Sequence, residues 1–182
     1  SYPSLHNFLL SVLKASVDGR LKVDGGNSLP PILPILVLLY RVQPLQTCGP
    51  DVVGQMQQFC PVILACIGHR HLSVRQAAAR ALSNLCGGQD SLPLSISSLY
   101  SFCNTNTCLP MSSSWNQSHG ALLLLKEMRL SRRLSEELMI STGHDKALLG
   151  FVCLLDGDAT CPPLCIMTGV EVLHGLPSIA DG

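Results

Sequence analysis

Apolar residues along the chain gather into helical stripes separated by breaks rich in proline and glycine. In residues 2–17, Leu5, Phe8, Leu9, Val12 and Leu13 recur at the i, i+3, i+4 spacing that lines them along one face of a helix. Residues 18–28 contain Gly19, Gly25 and Gly26 and read as a loop. Pro30 and Pro31 suit a helix start, where a missing N–H costs nothing. The helix they open carries Ile32, Leu33, Ile35, Leu36, Leu38 and Leu39, apolar nearly all round, which predicts a central position in a layered structure. Pro44, Gly49 and Pro50 end it. Residues 51–68 follow as one helix, bent or restarted near Pro61.

A corner is predicted at 69–72, with Ser73 as the N-cap of a helix over 74–86 that stops at Gly87-Gly88. Residues 92–118 are rich in Ser and Thr and read as a long connection, with one short helix near 96–102. The leucines of 119–130 predict a strong helix, with Asn116 as its cap. Residues 131–140 continue it after a break, and weaker helical pieces are predicted near 146–155 and 163–176.

No segment sustains the alternation of a strand, so no sheet is expected. The prediction is an all-α chain of antiparallel helix pairs, a HEAT/armadillo-like α-solenoid with a period of roughly 40–47 residues. Three parts are expected: an incoming helix and loop at 1–29, a helical-repeat core at 30–140 with the long loop near 92–118, and a further weak repeat at 141–182.

Composition sharpens this picture. Charged residues are 13% of the chain, against about 25% in an average soluble domain. Hydrophobic residues are 47%, so the chain is expected to bury faces against neighbouring repeats. It opens at Ser1 with a helix already in progress and reads as an excerpt of a larger protein. The formal net charge is zero, so RNA contact would need a local cluster of Lys and Arg. Nine cysteines follow no secretory signal, and several sit among apolar helical residues, which points to free thiols in a reducing compartment and a cytoplasmic location. The longest apolar run, 32–40, is short of the roughly 20 residues of a membrane span.

Candidate chemistry is sparse. Cys103, Cys108, Cys161 and Cys165 lie too far apart for a compact zinc knuckle and read as ordinary thiols. No glycine-rich phosphate loop and no nucleophile signature is present, so neither a cofactor nor a catalytic residue is expected. The Asn116-Gln117-Ser118 sequon carries no weight without secretion. His69-Arg70-His71 is either a small cationic contact for phosphate or simply a polar corner. Arg75 and Arg80 lie about 140° apart around their helix. One reading turns an arginine inward to bond carbonyls at a neighbouring helix end; the other makes it a phosphate or partner contact. Asn116, His119 and Gly120 have sufficient structural reasons as cap and close approach, with a binding role for His119 secondary.

Four blocks occur in order: Leu33-Pro34-Ile35-Leu36-Val37-Leu38-Leu39 with Arg41 and Pro44; Phe59-Cys60-Pro61; Val74-Arg75-Gln76-Ala77-Ala78-Ala79-Arg80-Ala81-Leu82; and Asn116-Gln117-Ser118-His119-Gly120 followed by leucines. Over residues 28–127 they resemble the characteristic domain of the thyroid-adenoma-associated protein family. The family tends to an acidic residue and a methionine where Gln76 and Ala77 stand here, and to a further histidine in place of Gln117. The resemblance implies a very large helical-repeat protein. It would be the non-catalytic scaffold or regulatory subunit that directs 2′-O-methylation of ribose 32 in the tRNA anticodon loop. Its partners would be tRNA and the catalytic subunit of a tRNA 2′-O-methyltransferase, which supplies the methyl donor. Arg75, Arg80, Asn116 and His119 are the candidate contacts to tRNA or enzyme. The alternative is a general protein-binding solenoid without RNA.

Overall fold

The computed structural model describes residues 2–18, 32–41, 50–85, 112–130 and 162–173. The predicted loop and short helix over 92–111 and the segments 131–140 and 146–155 lie outside the described residues. Among the described residues seven helices follow in order: α1 (Tyr2–Val17), α2 (Ile32–Arg41), α3 (Pro50–Gln57), α4 (Cys60–Ile67), α5 (Leu72–Leu85), α6 (Ser112–Leu130) and α7 (Pro163–Leu173). The described residues contain no strand. None of these helices is long and apolar enough to cross a membrane.

The helices form two layers of a helical solenoid. In one layer α2, α5, α6 and α7 stand side by side, each packed on the next. In the other, α1 and α4 touch each other, α1 packs on α2, and α4 packs on α5. Side-chain bonds fix the direction of the first layer. Arg75 meets His119 and Arg80 meets Glu127, so α5 and α6 run parallel. His119 meets Thr168 and Lys126 meets Glu171, so α6 and α7 do too. Each of these steps advances the sequence by 44 to 49 residues. That spacing is longer than the roughly 34 residues of a tetratricopeptide unit and nearer the 40–47 of HEAT and armadillo units.

Helix α5 is central because its side chains are small. Ala77, Ala78, Ala79 and Ala81 are buried along with Val74 and Leu82, and α5 meets α2, α4 and α6. Small residues let three helices approach one axis, and the larger Leu36, Ile63 and Leu124 fill the space between them. By contrast, α2 is not the all-round buried helix that its composition predicts. It buries Ile32, Ile35, Leu36 and Leu39 and leaves Val37, Leu38 and Tyr40 exposed, because its described neighbours cover one side only.

Helix boundaries move where a tertiary partner decides them. The restart near Pro61 is present: α3 ends at Gln57, and α4 begins at Cys60 with proline in its first turn. The Phe59 carbonyl accepts from the N–H groups of Val62 and Ile63, and its ring sits edge-on to His6 at 4.8 Å, tying α1 to the start of α4. Helix α5 starts at Leu72, so Ser73 lies inside it rather than capping it. His71 supplies the carbonyl that accepts from Val74 and Arg75, while the His69 ring nitrogen Nδ1 accepts from the His71 N–H at 3.1 Å. Helix α6 starts at Ser112, seven residues earlier than the leucine pattern predicts, so Asn116 is inside the helix and free of a capping duty.

Substituting Ala78→Leu should cost about 1–3 kcal/mol, seen as a lower urea midpoint, because the fully buried position has no room for extra methylenes. Gln76→Leu, on the exposed face of the same helix, should stay within about 0.5 kcal/mol of the parent.

Candidate functional site

The chain reverses between α4 and α5 in four residues, Gly68, His69, Arg70 and His71. Such a corner leaves carbonyls at the end of one helix unpaired by the helix itself. Arg75, one turn into α5 and 5% exposed, folds back over the corner. Its Nη1 donates to the carbonyls of His69 (2.8 Å) and Arg70 (3.0 Å) and to Asn116 Oδ1 (2.8 Å). Its Nε donates to His119 Nδ1 at 3.2 Å. No carboxylate among the described residues pairs with this cation. Backbone carbonyls, an amide oxygen and an imidazole nitrogen hold it instead. Burial lowers the guanidinium from its ordinary value, although an arginine stays charged at any working pH.

These bonds fix the state of His119, which is 2% exposed. Arg75 can only donate, so Nδ1 must accept and the ring proton sits on Nε2. Thr168 Oγ1 lies 3.2 Å from Nε2, and its own hydroxyl donates to the Leu164 carbonyl at 2.9 Å. A directed chain thus runs from Arg75 through His119 and Thr168 to the backbone of α7. Burial, reinforced by the Arg75 charge, pushes the His119 imidazole down to about 4, so it is neutral near pH 7.

Two glycines let the backbones close around this cluster. A Cβ at Gly120 would collide with the Ile67 carbonyl oxygen and come 2.5 Å from Ile67 Cγ2, so α6 touches the end of α4 through bare backbone. A Cβ at Gly68 would meet Gln117 Cγ at 2.6 Å, a side chain that can turn away. On the outside of the corner, Arg70 and His71 are exposed, and the His69 and His71 rings stack at 5.3 Å. Burial first, then the charges of His71, Arg70 and Arg75, lowers the His69 imidazole from its ordinary value.

Of the four residues singled out in the sequence, the fold brings Arg75, Asn116 and His119 together. It leaves Arg80 apart, its side chain 50% exposed, with Nε on Glu127 Oε1 at 3.0 Å and the guanidinium 5.8 Å from the Tyr40 ring centroid. Sequence reading missed Thr168, which stands 49 residues from its partner on a weakly patterned segment with no local signal. The inward arginine that the sequence suggested, bonding carbonyls at a neighbouring helix end, is Arg75, and the carbonyls are those of the His-Arg-His corner.

The cysteines that are described behave as small apolar groups. Cys66 is buried, its thiol pushed up to about 12 by burial, with Sγ 3.2 Å from the Val62 carbonyl. Of the four zinc-spaced cysteines only Cys165 is described; it is buried and faces the Trp115 carbonyl. No group of three metal-ligating side chains occurs among the described residues.

Gly120→Ala should destabilise by about 1–3 kcal/mol, because only backbone movement can make room, whereas Gly68→Ala should cost clearly less; thermal unfolding of the two variants checks the order. The folded protein holds His119 neutral, so the stability tied to it is fully present above its ordinary 6.5 and is lost as pH falls toward about 4. The stability gap between the parent and His119→Ala should therefore narrow, on the order of 2 kcal/mol, between pH 7 and pH 4. A gap constant with pH would contradict this account of the cluster.

Residues 1–128 of the 182 match the family model described as Trm732, C-terminal TPR repeats. No curated protein and no solved structure matches the chain. The match spans the corner, all of α5 and the part of α6 that carries Asn116, His119 and Gly120, and so places the Arg75 cluster inside the family's own repeat region. The chain belongs to the family of Trm732 C-terminal TPR repeats, a family that partners a tRNA methyltransferase.

Proposed function

We propose that this chain is a section of a non-catalytic scaffold that directs a partner methyltransferase to ribose 32 of the tRNA anticodon loop, as the resemblance to the thyroid-adenoma-associated family implies. The family match over residues 1–128 carries this reading. It is supported by the way two of the family-like blocks, 74–82 and 116–120, meet in space around Arg75. The methyl donor and the reacting groups belong to the partner enzyme in this reading.

The work of such a scaffold is positional. A parallel row of helices presents a surface of fixed spacing, along which an RNA backbone and an enzyme can be held in mutual register. RNA is gripped through phosphates, 2′-hydroxyls and splayed bases. Holding the target hydroxyl in line with the donor replaces a bimolecular encounter and is worth up to roughly 7–11 kcal/mol in ideal cases. Arg75, Asn116 and His119 serve as positioning residues, since their polar atoms are spent on the corner and on α7. Arg80, half exposed on the surface, is the one of the four that this reading assigns to direct contact.

A second reading has its own observation. The outer face of α7 exposes Leu164, Met167 and Val170, an apolar stripe suited to another protein. On that reading partners co-purify in high salt and after ribonuclease treatment, while RNA contact would be salt-sensitive.

The full-length protein, the partner methyltransferase and an unmodified tRNA provide the test, read as methylation of ribose 32 by resistance of the adjacent bond to alkali. Methylation should require both proteins. Arg75→Lys, which cannot hold two carbonyls and an imidazole together, should lower both thermal stability and methylation, with methylation partly restored on cooling. Full methylation by the enzyme alone would refute the scaffold role. Folded Arg75→Ala, Arg80→Ala and His119→Ala variants that all keep full methylation would reduce the region to internal packing.

A further inference from the structure

Three candidates stand outside the cluster already described: the histidine–arginine corner, the apolar stripe of α7, and a groove at the opposite end of α5. The groove carries the argument furthest. α5 and α6 run parallel, and Asn84 near the end of α5 bonds the Tyr40 carbonyl near the end of α2, so the C-terminal ends of α2, α5 and α6 gather along one rim around a groove of about 570 Å³. It is lined by Tyr40 and Arg41 from α2, Arg80, Ser83 and Asn84 from α5, and Glu127 and Leu130 from α6.

The lining has a definite chemical character. Among the described residues Leu130 is its one aliphatic side chain, so they offer a helix or peptide few apolar anchors. Tyr40 offers an aromatic ring that stays 40% exposed, with the Arg80 guanidinium over it. Glu127 holds Arg80 through Nε and leaves both terminal amino groups without a partner among the described residues. Arg41, exposed at the last position of α2, adds a second guanidinium. Asn84 donates its side-chain amide to the Tyr40 carbonyl, which fixes the residue carrying the ring. Helix C-terminal ends carry partial negative charge and repel an anion. Among the described lining residues the two arginines favour one there, and the proposed phosphate contact rests on them.

An aromatic face interleaved with arginines, above a floor of amide, hydroxyl and carboxylate, is the equipment that holds an unpaired base by stacking and its phosphate by charge. The volume lies in the range of small-molecule sites. We propose that this groove receives one unstacked nucleotide of a single-stranded RNA loop, its base on Tyr40 and its phosphate between Arg41 and Arg80. The inference builds on the tRNA reading above and adds a site to it.

The test uses the full-length protein and a fluorescent single-stranded oligouridylate, with a duplex RNA of equal length as comparison, followed by anisotropy at several salt concentrations. Tyr40→Leu should weaken single-strand binding by about 5- to 100-fold and Tyr40→Phe should restore it, since stacking needs the ring and not the hydroxyl. Arg41→Gln and Arg80→Gln should each flatten the plot of log affinity against log salt by about 0.7. Arg70→Gln, at the other end of α5, should change neither. Circular dichroism on each variant separates lost binding from lost fold, and Tyr40→Phe keeps the ring question answerable if Tyr40→Leu unfolds. The groove assignment is overturned if the parent binds no oligouridylate, if Tyr40→Leu binds as the parent does, or if Arg70→Gln is as harmful as Arg41→Gln. The two readings fail separately. Unchanged binding by Tyr40→Leu with methylation intact removes the groove alone. Tyr40-dependent binding together with full methylation of ribose 32 by the enzyme alone removes the scaffold role and leaves the groove.

Discussion

A buried arginine with no carboxylate partner is costly unless nearly every polar atom around it is committed to it. Arg75 meets that condition by facing the end of α4, where the chain turns and carbonyls point outward. The negative end of the α4 dipole and the two corner carbonyls take the place of a counter-ion. Because the guanidinium is planar and forked, it reaches the corner through Nη1 while Nε points sideways to the next helix. The same cation therefore closes the helix pair α4–α5 and sets where α6 must lie. His119 passes the constraint on to α7 through Thr168.

Apolar packing alone would leave this stack loosely specified. Alanine-rich α5 and the leucines of α6 bury surface whatever their exact register, because the hydrophobic effect is non-directional. Directed bonds are different. Moving α6 by one residue along α5 would strand the Arg75 guanidinium, the Asn116 amide and the His119 ring together. Gly120 works in the same sense, since only a residue without a side chain lets α6 rest on the Ile67 carbonyl. The polar cluster and the glycine contact thus select one register among several that the apolar stripes would accept.

The two ends of α5 divide the labour. At the N-terminal end the polar atoms of Arg75, Asn116 and His119 are turned inward, and the cluster is a device for assembly. At the C-terminal end Arg80, Tyr40 and Arg41 face outward, with the Arg80–Glu127 ion pair, the Arg80–Tyr40 ring contact and the Asn84 bond to the Tyr40 carbonyl holding Arg80 and Tyr40 in place. For a family that partners a tRNA methyltransferase, this is a sensible distribution. The scaffold role proposed above calls for rigid internal geometry, with chemistry on the rim that meets a client.

Helical stripes, the restart at Pro61 and the all-α class were legible in the sequence, because they depend on local spacing and on the stiffness of proline. The special standing of Arg75, Asn116, His119 and Gly120 was legible too, as odd residues within otherwise apolar helices. The inward arginine and the close approach at Gly120 were readable as well, whereas which arginine turns inward and what Asn116 and His119 meet were not. Two arginines five positions apart on one helix look equivalent in sequence, yet one is buried among carbonyls and the other lies half in solvent. Whether Asn116 caps a helix or serves a distant arginine depends on where α6 begins, and that start lies among serines that fit either a loop or a helix start. Thr168 gains its role only through a partner 49 residues away. Local spacing determines which residues share a helix face, whereas the face each one meets is decided by the parallel stacking of helices some 44 to 49 residues apart.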